Sequence, residues 1–517
     1  MDDQAMTDRA LARAMGFCTA AAMAVTQADV GFVRDEGYYF TAAQNAENWL
    51  RLLLHAPLAA VEQTGRYWSY NFEHPGLTKL LFGASHLVFT TWLGLLPDAL
   101  AWRLPAFAFA GLLSYWLCIL GLSRSRAAGV LAPLLFWCAE RTFFHGHLAC
   151  FDVPICAMWA GAGVAWLEAL RERSRASGLW LAFVYGVALG VKHNAWFLPP
   201  VLLVHALLLP GAQRKSALLR LPWLLLSPLV LFAVWPLLWH DPLRHIAAWI
   251  AFHTHHVHYA WWYFGQVLRA PPFPVVYPLV VDALALPLPI VALLAAAGIS
   301  LLAGFARRRL DAQRLIELGL AGAALLPFLL TTTPIFGGLK HWLGFLALLA
   351  PEAAGLLAAI APSRRQLAAA VAAVLLPGLW QIAHVHPYGT SAYGELAGGI
   401  PGAATLGMQR QYWSNNVTAV LPWLNTHCPR DARVYFHEVN LESYRAYVQA
   451  GMLRADIRYA PGPAQADYVA LQWHREFRDR EPETWNAFHT RRPATGLYLD
   501  EVPQIVVYAR PGLPGAP

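Results

Sequence analysis

Residues 101–139, AWRLPAFAFAGLLSYWLCILGLSRSRAAGVLAPLLFWCA, contain two long apolar segments separated by Arg124 and Arg126. A bilayer-crossing helix needs roughly 17–25 mostly apolar residues, and the first segment, 101–121, meets that length. The second segment, 127–139, is shorter. Two apolar segments joined by a short basic turn predict a helical hairpin in a membrane, with its turn on the cytoplasmic side.

The composition of the whole chain indicates the same class. Of the 517 residues, 57% are apolar and only 13% are charged, whereas soluble domains are about 25% charged. A soluble protein this apolar would expose too much hydrocarbon to stay dispersed. The composition therefore excludes a disordered chain, a fibrous repeat and an ordinary soluble enzyme, and it predicts an all-α polytopic membrane protein.

Basic clusters between apolar segments predict the topology, because Lys and Arg collect on the cytoplasmic side. The clusters are Arg9/Arg13, Arg124/Arg126, Arg171/Arg173/Arg175, Arg214/Lys215/Arg220, Arg307/Arg308/Arg309/Arg314 and Arg364/Arg365. Placing all of them inside gives about eleven spans, near 12–31, 101–121, 127–139, 154–170, 179–191, 195–210, 219–238, 276–304, 315–333, 341–361 and 366–384. The tail then lies outside.

The first outer loop, about 32–100, holds two further apolar stretches. Residues 79–97 are apolar enough to span, but a span there would put Arg124 and Arg126 on the wrong side. We therefore expect a helix on the outer surface, and a second one over 41–60. The first span is interpreted as an uncleaved anchor rather than a signal peptide, because its apolar stretch is weak and its start is acidic.

The chain divides by composition into a body, 1–384, and a tail, 385–517. The body has 26 Lys/Arg and 19 Asp/Glu, whereas the tail has 12 of each. Strand-like runs at 433–436, 468–472 and 504–509 alternate with a helical run at 441–452, which predicts a small α/β domain. No basic stripe of the nucleic-acid type is present. The six cysteines form no C-x-x-C pair and are expected to pack inside helices.

Ionisable and aromatic residues collect in the predicted outer loops. Ionisable groups at membrane depth are costly and by default mark a site. The candidates are Asp35, Glu36, His74, Lys79, Arg103, Arg141, Asp152, Lys192, His256, Tyr263, Lys340 and His341.

Several of these candidates have a structural interpretation as well. Lys192 either reaches toward water from a helix end or awaits a phosphate. Asp35–Glu36 also fits an acidic loop start, Asp152 a helix N-cap, and Arg103 a membrane anchor. The histidine-rich run 253–258 is compatible with a metal site, with contact to a sugar or lipid headgroup, or with interface anchoring.

Together these residues suit a sugar transferase with a lipid-phosphate donor. A carboxylate would take the proton of a poorly nucleophilic acceptor hydroxyl. Fixed cations would stabilise the charge that develops on the departing polyprenyl phosphate, and aromatic faces would stack on the sugar. Because fixed cations can replace a metal, this chemistry requires no metal or other cofactor, although it is compatible with a divalent metal.

The order of motifs resembles a known family. DEGYYF (35–40), HPGLTK (74–79), RLPA (103–106), the segment 141–152, GVKHNA (190–195), YFG (263–265) with PPFPVVYP (271–278), and GGLKHW (337–342) follow one another. This order is similar to the bacterial branch of glycosyltransferase family 39, the protein O-mannosyltransferase-like enzymes of GT-C architecture. Gly76 stands where the family has a second Pro, and Lys340 where it has Arg, which removes bidentate phosphate geometry.

The resemblance implies a role for each matching residue. Asp35 would be the general base and Glu36 would orient it or the acceptor. Lys192, Lys340, His341 and Arg103 would face the donor phosphate, and Arg141 and Asp152 would support the site, as would His74, Lys79, His256 and Tyr263. The reaction would be an inverting transfer from a polyprenyl-phosphate sugar to a hydroxyl of a periplasmic or envelope acceptor. The enzyme would lie in a bacterial inner membrane with its tail in the periplasm.

Two other functions remain open at this level. A transporter or flippase of a lipid-linked substrate would also place charges near a membrane cavity, but such proteins usually show internal repeats, and none is seen. An inactive structural subunit of an envelope complex would leave Asp35 dispensable.

Overall fold

A computed structural model of the protein describes residues 3–361, 363–473 and 480–517. The α-helices before the tail are α1 Asp3–Thr26, α2 Arg34–His55, α3 Pro57–Glu62, α4 Thr64–Trp68, α5 Gly76–His86, α6 Asp98–Leu122, α7 Arg126–Trp137, α8 Glu140–Gly146, α9 Asp152–Glu172, α10 Arg175–Val191, α11 Leu198–Leu208, α12 Gly211–Leu218, α13 Ser227–Val234, α14 Pro242–Thr254, α15 Tyr277–Ala285, α16 Leu288–Ala306, α17 Ala312–Leu325, α18 Leu343–Ala359 and α19 Arg364–Val385. A π-helical turn, Leu87–Trp92, continues α5.

Long apolar helices confirm the polytopic membrane class. Within the described residues, seven helical segments are long and apolar enough to cross a membrane: Asp98–Leu122, Asp152–Glu172, Gly211–Val234, Leu288–Ala306, Ala312–Leu329, Gly338–Ala359 and Arg364–Val385. The bent pair α7 and α8, at 88°, counts as an eighth. The other three predicted spans fall on α1 and on the shorter apolar helices Arg175–Val191 and His193–Leu208.

The predicted span 276–304 is wrong in extent, because it is two helices. α15 ends at Ala285 and α16 begins at Leu288. Leu286 between them has extended backbone, with φ −90° and ψ 156°. Pro287 explains the break, since proline disfavours helical geometry in the residue before it and has no N–H to donate.

Charged residues from the predicted cytoplasmic ends meet at one end of the bundle. Arg124 at the end of α6 lies between Glu317 of α17 and Glu352 of α18, with its Nε 3.1 Å from the Glu352 carboxylate. Arg314 also reaches Glu352, at 3.1 Å. A buried guanidinium between two carboxylates keeps its charge compensated. The structure therefore brings together the helix ends that the basic clusters assign to one side.

Small residues let α1 lie close along α6. A Cβ added at Gly16 would come within 2.8 Å of the Gly111 carbonyl oxygen, and one added at Gly111 within 2.6 Å of the Gly16 carbonyl oxygen. Small residues at a crossing allow membrane helices to approach in this way. The first predicted span is thus packed against the second.

The helix predicted over 41–60 begins earlier than expected. α2 starts at Arg34, so Asp35 and Glu36 lie in the first turn of a helix rather than in a loop. The first turn suits them, because acidic groups there interact favourably with the helix dipole. The helix predicted over 79–97 is observed as α5 and the following π turn.

A buried carboxylate joins α2 to α5. Glu47 accepts hydrogen bonds from Nδ1 of His86 at 2.6 Å and from Oγ1 of Thr91 at 2.9 Å, and it pairs with Arg51. Burial alone would raise the pKa of Glu47, but the hydrogen bonds from His86, Arg51 and Thr91 lower it from its ordinary 4.5 to about 2. The charged form of Glu47 is therefore stabilised by folding.

Replacing Glu47 should make the fold less sensitive to acid. A group with a lowered pKa adds stability above its unfolded value, and that stability disappears as pH falls through the folded value. We expect Glu47→Gln to lower Tm by about 4 °C near pH 6, the effect of a lost charged hydrogen bond. The difference from wild type should shrink below pH 4.5 and vanish near pH 2. Thermal unfolding in lipid nanodiscs checks this, and a difference that is constant with pH contradicts it.

The tail contains the predicted α/β domain. A short antiparallel hairpin, β1 Trp261–Tyr263 and β2 Gln266–Leu268, comes earlier in the chain. The tail strands are β3 Arg433–Phe436, β4 Arg458–Tyr459, β5 Tyr468–Gln472, β6 Thr495–Leu499 and β7 Val502–Ala509, in the order β4-β3-β5-β7-β6. The tail helices are α20 Gly399–Thr405, α21 Leu421–His427, α22 Leu441–Gln449 and α23 Arg480–Phe488.

The tail sheet is mixed. β3 runs parallel to β4 and β5, whereas β7 is antiparallel to β5 and β6. The three predicted strands and the predicted helix are all observed, while β4 and β6 were not predicted. The boundary at 385 stays a prediction. All six cysteines are free.

Candidate active site

A cavity of about 600 Å³ opens where the tail meets the helix ends that the topology predicts to lie outside. Its polar wall comes from the first turn of α2, the start of α9, the turn after α10, the end of α14 and the turn before α18. The tail adds residues 412–414 and Glu438. Seven of the twelve predicted site residues line it: Asp35, His74, Asp152, Lys192, His256, Lys340 and His341.

Asp35 lies in this cavity beside Lys340. Lys340 Nζ is 3.3 Å from Oδ2 of Asp35, although the two residues are 305 positions apart. The Lys340 side chain is buried, and the Asp35 side chain keeps 27% of its surface exposed. A carboxylate that is both partly accessible and next to a fixed cation can reach a substrate in the cavity.

Two glycines and a tryptophan place the Lys340 ammonium. Gly337 and Gly338 have positive φ, 81° and 60°, and a Cβ on Gly338 would lie 2.9 Å from the Tyr412 ring. These positions therefore favour glycine. Lys340 Nζ also lies 4.1 Å from the centre of the Trp413 ring, in a cation–π contact.

A second cation and carboxylate also belong to the polar wall. Lys192 Nζ donates to Oδ1 of Asp152 at 2.6 Å, and both side chains are largely buried. Lys192 follows the last residue of α10, and Asp152 is the first residue of α9. The N-cap interpretation of Asp152 is wrong, since Phe151 holds that position and no side chain caps the helix.

Histidines line the side of the cavity formed by α14. The rings of His193 and His253 stack with their centres 3.6 Å apart, and His74 lies 6.2 Å from His253. Burial lowers the pKa of His74 well below its ordinary value and that of His253 to about 4. These two imidazoles are therefore neutral at pH 7, and the positive charge of the cavity wall comes from Lys192, Lys340 and Arg34.

One end of the cavity is apolar. It is lined by Ile155 and Trp159 of α9, Phe197 before α11, Ala324 of α17 and Phe328. These residues belong to membrane helices or to turns that continue them. The cavity thus joins a charged end near the tail to an apolar end among the helices, which suits an amphipathic ligand.

Arg103 does not face the cavity, contrary to expectation. Its Nη2 and Nε each lie 2.8 Å from the Glu36 carboxylate, and the guanidinium also donates to the carbonyl oxygens of Val30 and Gly31 at 2.9 Å. Arg103 is 1% exposed and Glu36 is fully buried. Glu36 also accepts from the amide of Ala149 at 2.9 Å. This pair fixes the turn before Asp35 and is not placed to meet a substrate.

Arg103→Met should therefore destabilise the fold. The substitution leaves the Glu36 carboxylate buried and uncompensated, which costs about 3–5 kcal/mol. The double variant Arg103→Met/Glu36→Gln should recover part of that loss, because it removes the buried charge. Thermal unfolding of both variants measures the difference. A stable single variant with only a raised donor KM would instead support contact with the donor phosphate.

Three other predicted residues also lie outside the cavity. Lys79 donates to the carbonyl oxygens of Asn71 and His74 at 2.7 and 2.8 Å, which holds the turn that carries His74. Arg141 donates to Ala392 O at 2.8 Å. Tyr263, in β1, packs on Tyr277. Lys79 and Arg141 are thus buried side chains bonded to backbone carbonyls, and neither lines the cavity.

Several lining residues were not predicted. His193 lies in the GVKHNA motif and His253 in the histidine-rich run 253–258, so both could have been identified from the segments that contain them. Arg34, Trp413 and Glu438 carry no motif of their own, and the last two reach the site only through the folding of the tail. Within residues 3–361, 363–473 and 480–517, no three His, Cys, Asp or Glu side chains lie close enough to hold a metal ion.

Known proteins resemble the chain in fold but not in sequence. No family model matches the sequence, and a comparison with curated proteins finds no relative. The crystal structure of ArnT from Cupriavidus metallidurans bound to undecaprenyl phosphate is similar with a TM-score of 0.51 and 13% identity, over 96% of this chain and 97% of that one. Its apo form gives a TM-score of 0.52, with the same identity and coverage.

A second solved protein is more distant. The apo oligosaccharyltransferase of Archaeoglobus fulgidus is 12% identical, with a TM-score of 0.49 over 88% of this chain and 69% of that one. The narrower resemblance to glycosyltransferase family 39 stays a prediction. The match to ArnT runs nearly end to end and includes both the membrane helices and the tail. The chain therefore has the GT-C fold that it shares with ArnT.

Proposed function

We propose that this protein transfers a sugar from a polyprenyl-phosphate carrier to an acceptor hydroxyl on the outer face of a bacterial inner membrane. The observation that carries the proposal is the Asp35–Lys340 pair, at 3.3 Å, in a cavity whose far end is apolar. The similar ArnT structure is described as bound to undecaprenyl phosphate. A lipid phosphate matches both ends of this cavity.

In this proposal the donor phosphate lies between Lys192 and Lys340. Each supplies a fixed ammonium group, and charge of that sign stabilises the anion that forms as the sugar leaves. The first isoprene units then lie against Trp159, Phe197 and Phe328. His341 remains a predicted donor contact, since it lines the cavity between the Phe328 and Phe336 rings.

Asp35 acts as the general base. The acceptor oxygen forms a bond to the anomeric carbon as the bond from that carbon to the phosphate oxygen breaks, and the hydroxyl proton passes to Asp35. One displacement of this kind inverts the anomeric centre. Glu36 assists without touching substrate, by holding the first turn of α2 through Arg103. The mechanism requires no metal, because two lysines supply the charge.

A transfer assay with purified protein in lipid tests the proposal. The donors are a panel of radiolabelled polyprenyl-phosphate sugars, and a crude envelope extract supplies acceptors. Label that moves to an acceptor supports the transferase, and the panel then names the donor. Labelled lipid that crosses the bilayer with its sugar still attached supports a flippase instead and contradicts the proposal.

A further inference from the structure

Side chains of the tail hold the backbone immediately before Asp35. The hydroxyl of Tyr447 donates to the carbonyl oxygen of Phe32 at 2.9 Å, and that of Ser443 to Val33 at 3.3 Å. The side-chain amide of Asn440 donates to the Arg34 carbonyl oxygen at 2.9 Å. Three consecutive carbonyl groups are thus bonded to one tail helix.

The three tail residues lie on one face of α22. Residues three and four positions apart are neighbours on a helix surface, and 440, 443 and 447 have that spacing. Asn440 is the N-cap of α22, and its Oδ1 accepts from the Ser443 amide at 2.8 Å. A single amide side chain therefore starts α22 and ties it to α2.

The tail lies directly against the backbone at Gly31 and Gly37. A Cβ on Gly37 would lie 2.5 Å from Oγ of Ser443, and one on Gly31 would lie 2.5 Å from the Asn415 carbonyl oxygen. Such distances leave no room for a larger residue at either glycine. A displacement of α22 must therefore displace the first turn of α2, which carries Asp35.

The tail also contacts the partner of Asp35. The Trp413 carbonyl oxygen accepts from the Arg34 amide at 2.9 Å, while its ring lies 4.1 Å from Lys340 Nζ. Trp413 and Ser414 both have positive φ, 68° and 64°. Bulky residues hold that backbone conformation only where the surroundings enforce it. Ser414 is held by a hydrogen bond to Glu438 O, at 2.6 Å.

We infer that α22 and Trp413 are positioning elements of the active site, and that they set the approach of Asp35 to Lys340. This inference rests on the proposed function. Ser443 and Tyr447 are 1% and 2% exposed and do not line the cavity. They act through α2 rather than by binding an acceptor. Through α22 the tail thereby takes part in catalysis, although Ser443 and Tyr447 do not reach the cavity.

A matched pair of tyrosine variants tests the inference in the full-length protein in nanodiscs. Tyr447→Phe removes the hydroxyl that holds Phe32. Tyr444→Phe, on the same helix, removes a hydroxyl that donates to Ile457 O within the tail, at 2.5 Å. Both remove one hydroxyl bonded to a backbone carbonyl, so only Tyr447→Phe should release α2. Ser443→Ala serves as a second variant if Tyr447→Phe folds poorly.

Two readouts separate positioning from stability. Hydrogen–deuterium exchange over residues 30–40 should be faster by about 5-fold in Tyr447→Phe, the effect of one lost hydrogen bond, and unchanged in Tyr444→Phe. In the transfer assay, kcat of Tyr447→Phe should fall on the order of 10-fold, because small misplacements of a catalytic group are costly. Its donor KM should stay within about twofold, as for a group that does not bind donor.

Three results would overturn the inference: equal kcat in both variants, a raised donor KM with unchanged kcat, or unchanged exchange over 30–40. A wild type that transfers nothing overturns the proposed function alone. In that case, faster exchange in Tyr447→Phe still supports the conclusion that α22 restrains the start of α2. Unchanged exchange contradicts that conclusion.

Discussion

Asp35→Asn should reduce sugar transfer by about 10²–10⁴-fold, the usual contribution of a general base. The amide has the shape of the carboxylate but cannot take the acceptor proton. Initial rates of label transfer from the active donor, measured at saturating donor and acceptor, give the effect on kcat. Near-normal turnover would remove Asp35 as the base.

The fold should tolerate this substitution. The Asp35 side chain is 27% exposed and its contact with Lys340 is 3.3 Å long, and partly exposed ion pairs add only about 0–1 kcal/mol. The Tm of Asp35→Asn should therefore match wild type closely. Glu73→Gln is the matched control. Glu73 also lines the cavity, but it forms no ion pair with Lys192 or Lys340. It should keep most of the transfer activity.

Lys192→Met should weaken use of the donor by about 10²–10³-fold in kcat/KM, the effect of removing one preorganised group that stabilises developing charge. The KM for the acceptor should change much less, since the acceptor meets Asp35 and not Lys192. Transfer rates with each substrate varied in turn give the two effects. An unchanged dependence of the rate on donor concentration would instead support the structural interpretation, in which Lys192 only extends toward water from a helix end.

A double variant separates this effect from loss of the fold. Lys192→Met leaves Asp152 buried without its partner at 2.6 Å, which is strongly destabilising. Lys192→Met/Asp152→Asn removes the uncompensated charge. It should recover Tm but not donor use. Recovery of both would assign Lys192 a purely structural role.

The polar wall was largely predictable because most of its residues are recognisable in the sequence itself. Lys192 is a lone cation between apolar segments, and an ionisable group at membrane depth marks a site by cost alone. Asp35 and Lys340 were identified by motif. That they would pair was not predicted, because the pairing joins positions 305 residues apart.

Buried pairs and tail contacts were not predictable in the same way. Arg103 and Lys340 are both basic residues of a motif at the end of a predicted span. Arg103 is nevertheless bonded to Glu36 in the core, whereas Lys340 faces the cavity. Only packing separates them. Asn440 and Tyr447 are ordinary helix residues until the tail folds onto α2. The break at Pro287 was not predictable either, because α6, α7, α18 and α19 each contain a proline and do not end there.

The most direct test of the account measures both products of the reaction at once. Purified protein in nanodiscs receives the active polyprenyl-phosphate sugar and its acceptor, and mass spectrometry quantifies free polyprenyl phosphate and glycosylated acceptor. Transfer by a single displacement should give equal amounts of the two products with wild type and almost none with Asp35→Asn. Equal product formation by both proteins, or neither product from the wild type, would contradict it.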